Sequence, residues 1–183
     1  MYGRKWGRGS FVQSTRRAVP ANELRPLFLS EDRLLALFGY GASAWRLAPR
    51  DRWIGWSDAR RQAALPRVVG QVRFLILPWI RCPNLASMLL SLSAARLPAD
   101  WEQHYGIRPW LLESFVDTSR YDGICYRAAN WIDVGPTRGR GKKDRHRHAT
   151  LPRKQVYLYP LCRNCRKRLA RENLEQPEGS APW

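Results

Sequence analysis

The sequence predicts a single α/β domain, a mixed central sheet with flanking helices, and three observations carry that expectation. The chain has 183 residues, the size of one ordinary domain. Hydrophobic residues make up 44% of it, enough to fill a core. From residue 72 onward, nearly continuous branched or aromatic runs alternate with helix-spaced ones, the signature of strands packed between helices.

The elements follow in order. Residues 1–26 read as a flexible basic arm: Arg4, Lys5, Arg8, Arg16 and Arg17 precede the first acid, Glu23, and Gly3, Gly7 and Gly9 suit neither helix nor strand. A domain over 27–171 follows. Ser30 as cap, Glu31 and Asp32 in a first turn, Leu34, Leu35 and Leu37 on one side and Gly39 as a stop predict a helix. A second helix is predicted from Ser57 and Asp58 to the stop at Pro66. Val72 to Ile80, "VRFLILPWI", reads as a central strand covered on both faces. Asn84 then opens a helix with Leu85, Met88, Leu89 and Leu92 on its apolar side, interrupted at Pro98 and closed at Gly106. A second buried strand, "PWLLESFVD", a short helix in "YDGICYRAAN", and strands "WIDVG" and "QVYLYPL" complete the domain. Residues 172–183 read as a disordered polar tail.

Charge narrows the function. Thirty-two Lys and Arg against 15 Asp and Glu leave a formal charge of +17, and the commonest partner of such an excess is nucleic acid. The basic N-terminus is followed by no apolar secretory core, and the longest apolar run is too short to span a bilayer, so the expectation is a cytoplasmic protein with no membrane partner. Cys82, Cys125, Cys162 and Cys165 are too few for a disulfide scaffold.

Four places could carry chemistry. A strand feeding a helix at Leu85, Ala86 and Ser87 offers free N–H groups and a positive dipole end to a phosphate, or is an ordinary capped turn. Tyr126 could donate a proton from a hydroxyl that is neutral at pH 7, or it and Trp131 fill core space. Between Arg138 and Arg147 six basic residues, Arg138, Arg140, Lys142, Lys143, Arg145 and Arg147, alternate in part with Gly139 and Gly141, which permit close approach of a phosphate backbone, and the expected ligand is DNA, the alternative being a solvated face. Glu113, Asp117 and Asp122 near one strand end could hold Mg²⁺ for a nuclease or transposase reaction, and Glu113 could equally serve as a general base. The pair Cys162 and Cys165, with His146 and His148, matches no common zinc spacing, and no metal site is expected.

Two resemblances add to this. The order strand, helix start, strand and then "GICYRAANWIDVG" resembles the second half of the GCN5-related N-acetyltransferase fold. That resemblance implies an acyl-coenzyme A cofactor between two splayed strands, with Leu85, Ala86 and Ser87 at its pyrophosphate and Tyr126 as general acid. The superfamily's glycine-rich "[QR]xxGx[GA]" loop is replaced by "CPNLAS". A closer resemblance covers "RDRWIGWSDARRQAALPRVVGQVRFLILPWIRCPNLAS", "RLPADWEQHYGIRPWLLESFVD" and "RYDGICYRAANWIDVGPTRGRGKKDR". These phrases resemble the DruA-type domain of the Druantia anti-phage defence system, which also occurs in transposase-associated bacterial proteins. It implies a defence or mobile-element role, with DNA and other defence proteins as partners.

Overall fold

The computed structural model describes residues 11–13, 23–24, 26–30, 33–139 and 152–171. Its strands are β1 (Phe11–Gln13), β2 (Glu23–Leu24), β3 (Pro26–Ser30), β4 (Arg33–Ala42), β5 (Val68–Ile76), β6 (Leu111–Asp117), β7 (Ile132–Pro136) and β8 (Lys154–Pro160). The helices are α1 (Ala48–Ile54), α2 (Asp58–Ala64), α3 (Leu85–Tyr105), α4 (Ile124–Ala128) and α5 (Cys165–Ala170). The sheet runs β1-β3-β4-β5-β6-β8-β7, with β2 also on β4. Among the described residues only β5 and β6 pair in parallel, because α3 carries the chain back across the sheet between them.

Side-chain alternation along β6 divides the core. Leu112 and Val116 face α3 and α4, in a cluster with Phe38, Leu90, Trp101 and Tyr157. Leu111 faces α1, α2 and α5, in a cluster with Ile54, Ala64, Val156 and Leu169. Each fully buried leucine removes enough apolar surface to stabilise the fold by about 1.5–3 kcal/mol, so Leu90 and Leu111 are anchors of their respective layers.

Local chemistry explains most helix ends. The Ser57 hydroxyl accepts from the Arg60 N–H at 3.1 Å and caps α2, as its sequence position predicts. Gly106, at φ 70°, ends α3. Three expectations are corrected. The helix expected from Ser30 to Gly39 is part of β3 and β4: Leu34 to Leu37 suit either period, but Ala36, Phe38 and Tyr40 are buried with period two and β4 has partners on both sides. α3 runs unbroken through Pro98, whose lost hydrogen bond is outweighed by burial of Leu90, Leu97 and Trp101 around it. Its buried face is also rotated from the expected one: Leu89, Leu90 and Leu97 are inside, whereas Leu92 is 55% exposed.

The arm expected over residues 1–26 contributes β1 to β3 and β2 to β4; its other residues, and those of the tail expected at 172–183, lie outside the described residues. Among the described residues no helix is long and apolar enough to cross a membrane.

Candidate functional site

The central strand expected over Val72–Ile80 and covered on both faces is instead Val68–Ile76, with residues 77–80 outside it, and it is divided along its length. Val68–Gln71 are buried and pair with β6, from Val68 with Leu111 to Gln71 with Ser114. There the pairing stops. The β4–β5 register steps from Tyr40 with Gln71 to Gly39 with Arg73, so Val72 is an extra residue, a β-bulge that bends β5 away from β6. Beyond it β5 stays with β4 and β6 stays with β8, and each presents an unpaired edge to the other. Part of the apolar surface of this half is not covered: Val72 is 54% and Leu75 48% exposed, whereas Phe74 packs on Phe38 and Tyr126.

Between the diverging strands lies a cavity of about 520 Å³, within the range of small-ligand sites. Tyr126 occupies its apex. The Tyr126 hydroxyl donates to Gln71 Oε1 at 2.8 Å and accepts from the Ser114 hydroxyl at 2.9 Å, bridging the last paired residues of β5 and β6. Its ring stacks on Tyr157 at 5.2 Å and meets the edges of Trp131 and Phe74. Burial pushes the Tyr126 hydroxyl well above the ordinary tyrosine range, so it keeps its proton at neutral pH. The Gln71 amide, buried at the same apex, also bears on the Tyr40 hydroxyl, its register partner on β4.

Glycine places α4, and hence Tyr126. Gly123 caps the helix in the left-handed region, at φ 67°, and a Cβ there would run into the Tyr157 ring. A second hollow of about 340 Å³ continues the cleft to the start of α3 and shares Ile76, Ala86 and Cys125 with the first. Asn84, at φ 59°, gives α3 no side-chain cap. Ala86 therefore borders both hollows at an uncapped helix start, Ser87 turns its hydroxyl to the Asn84 carbonyl at 3.0 Å, and the Leu85 side chain is buried.

The other expected residues lie elsewhere. Glu113 is fully buried on the opposite face from Tyr126; its Oε2 accepts from Arg50 at 2.8 Å and its Oε1 from the Ala44 N–H at 2.8 Å. Burial pushes its carboxyl above the usual range, against the pull of Arg50. Tyr126 and Glu113 are thus not brought together. Asp117 accepts from the Ser119 N–H and hydroxyl in a turn, and these contacts hold its carboxyl below the usual range. Among the described residues no group of three or more His, Cys, Asp or Glu could hold a metal ion. The Cys165 thiol is buried and donates to the Trp110 carbonyl at 3.0 Å, and the neighbouring Cys162 together with that burial pushes it above the ordinary thiol range. Arg138 is exposed beyond β7; Arg140, Lys142, Lys143, Arg145 and Arg147, with His146 and His148, lie outside the described residues. Gln71 and Ser114 were missed by sequence reasoning. The only signal was a lone amide inside "VVGQVRFLI" and a lone hydroxyl inside "LLESFVD".

The profile of the family described as Druantia protein DruA matches residues 23–147. The chain belongs to the DruA family. Membership points this DruA-family chain towards anti-phage defence. No curated protein sequence matches it. Similar solved structures include an N-acetyltransferase from Staphylococcus aureus Mu50, with 16% identity over 76% of this chain and 68% of that one, TM-score 0.47. Another is the aminoglycoside acetyltransferase AAC(6')-Ib in complex with coenzyme A and kanamycin, with 12% identity over 81% of this chain and 71% of that one, TM-score 0.47. A GNAT-family acetyltransferase from Streptococcus pneumoniae has 14% identity over 78% of this chain and 69% of that one, TM-score 0.45. At this identity the likeness is one of chain path, and no residue role is taken from it.

Proposed function

We propose that this DruA-family protein is an anti-phage defence or mobile-element protein that engages nucleic acid, and that its cleft takes an extended, amide-bearing ligand of the acyl-coenzyme A class. The observation that carries the cleft reading is the pair of facing, unpaired strand edges with the Tyr126 hydroxyl at their apex. Such edges offer N–H and C=O groups to a ligand that itself has amides, as in strand addition. The remaining features fit the same ligand: apolar Phe74 and Ile76 for its stem and the start of α3 for a pyrophosphate. When bound, the ligand supplies an activated acyl group; Tyr126 holds a proton at its hydroxyl, and the buried apex excludes water. Glu113, sealed behind Arg50, has no path to that apex.

The nucleic-acid part rests on the charge of +17 and on the arginine and lysine run that begins at Arg138.

Calorimetry with coenzyme A and acetyl-coenzyme A tests the cleft. Binding is expected in the wild type and is lost in Ser87→Trp; Tyr126→Phe should keep binding and lower acyl transfer by about 10²–10⁴-fold. Absence of heat with either ligand would sink the acyl reading. Labelled DNA at low salt tests the other part, which fails if binding survives neutralisation of Arg138, Arg140 and Lys142 together.

A further inference from the structure

On the sheet face away from α3, the segments around α1 and α2 and the residues after β7 enclose a second groove of about 950 Å³. Four arginines line it, Arg46, Arg52, Arg61 and Arg138, against two acids, Asp51 and Asp58. Both acids are already engaged. Asp51 Oδ1 accepts from Arg50 at 2.9 Å and 2.8 Å and from the Trp56 indole at 3.2 Å, and its Oδ2 accepts from the Leu47 N–H at 3.1 Å. Asp58 pairs with Arg46 at 3.0 Å and Arg61 at 2.6 Å. Arg52 and Arg138 are exposed, and neither has a carboxylate partner among the described residues. Arg61, 6% exposed in the wall, has an Nε–H without an acceptor.

The groove also holds aromatic surface. Trp56 is fixed through its indole N–H to Asp51, with the Arg50 guanidinium 5.4 Å from its ring. Phe115 lines both this groove and the cleft between β5 and β6, so the two cavities meet at this residue.

We propose that this groove binds single-stranded nucleic acid, with phosphates on Arg52 and Arg138 and a base against Trp56, and leads the strand past Phe115 to the cleft. Unpaired guanidiniums beside an immobilised aromatic ring are what sequence-tolerant single-strand sites use. A duplex is the poorer match, because its bases are read by elements that protrude into its grooves, whereas this site is concave. The proposal rests on the nucleic-acid reading above. It adds to that reading a site, a strand state and a direction: the acceptor of any group held in the cleft arrives from the α1 side as part of a nucleic-acid strand.

The test is fluorescence anisotropy of a labelled single-stranded oligodeoxynucleotide across a salt series, with the full chain and with thermal melts as a folding control. Arg52→Glu and Arg138→Ala should each weaken binding and lower the slope of log affinity against log salt by about 1. Trp56→Leu should weaken binding by about five- to a hundredfold. Full affinity and slope in the Arg52→Glu, Arg138→Ala double variant would overturn the groove. If Arg140→Ala, Lys142→Ala and Lys143→Ala together then abolish binding, the nucleic-acid reading survives with the loop alone. Equal or tighter binding of the matching duplex, with the same dependence on Arg52 and Trp56, overturns the single-strand assignment. A coenzyme A titration on the same variants should be unchanged, which keeps the fate of the cleft separate from that of the groove.

Discussion

Glu113 and Ser114 are neighbours on β6 and face opposite ways. Behind Glu113 a charged network of Arg50, Glu113 and Asp51 is closed: every carboxylate oxygen of Glu113 has a donor, and Arg50 has no exposure at all. Ser114 instead bonds a neutral chain, itself to Tyr126 and Tyr126 to Gln71, and these groups border a cavity. The difference separates two uses of buried polarity. The ionic face fixes α1 against the sheet, whereas the neutral face is left open where the strands part.

Breaking the ionic face should have the largest effect. Arg50→Met strands the Glu113 carboxylate and is expected to cost about 3–5 kcal/mol in chemical denaturation, while Arg50→Met with Glu113→Leu should regain most of it. The same face predicts a pH signature. Because the folded Glu113 pKa is raised above its unfolded value of 4.5, its contribution to stability is greatest below that value and is lost as pH rises through the raised one. Glu113→Gln should remove that fall from a stability–pH profile.

On the neutral face the effects are smaller. Gly123→Ala forces both a left-handed backbone and a collision with Tyr157, for an expected loss of about 2–4 kcal/mol in thermal or chemical melts. Tyr126→Phe leaves Gln71 Oε1 and the Ser114 hydroxyl without their bridge, at about 1–2 kcal/mol. Leu75→Ser, on the exposed half of β5, should change stability by no more than about 0.5 kcal/mol and yet weaken any ligand of the cleft, as read by calorimetry. A large loss of stability there would mean that Leu75 is core and that this half of β5 is no open wall.

The sequence was most legible where a local signal and the tertiary outcome agree. Ser57 capping α2, Gly106 ending α3 and the apolar run of β6 are of this kind. It misled at Leu34 to Leu37, whose spacing serves a helix and a strand equally, so that partners on both sides of β4 decided the outcome. It misled again at Val72 to Ile76, because an apolar run reads the same whether protein or ligand is to cover it. Tyr126 was visible as a residue, but its bridge was not: Gln71, Ser114 and Tyr126 lie on three separate elements, and only the β5–β6 register, which sets Gln71 beside Ser114, explains why their polar groups converge at the apex. The groove beside α1 had no sequence signature, since its arginines are scattered from Arg46 to Arg138.

The open edge of β5 also makes the protein its own reporter. Beyond Gln71, β5 is bonded on one side to β4 alone, so alternate backbone amides across Val72–Ile76 point towards β6 with no strand to receive them. In deuterated solvent those amides should exchange quickly while their neighbours, locked to β4, exchange slowly. A ligand that lies along the edge would turn this alternating record into a uniformly slow one, residue by residue, before its chemical identity is known.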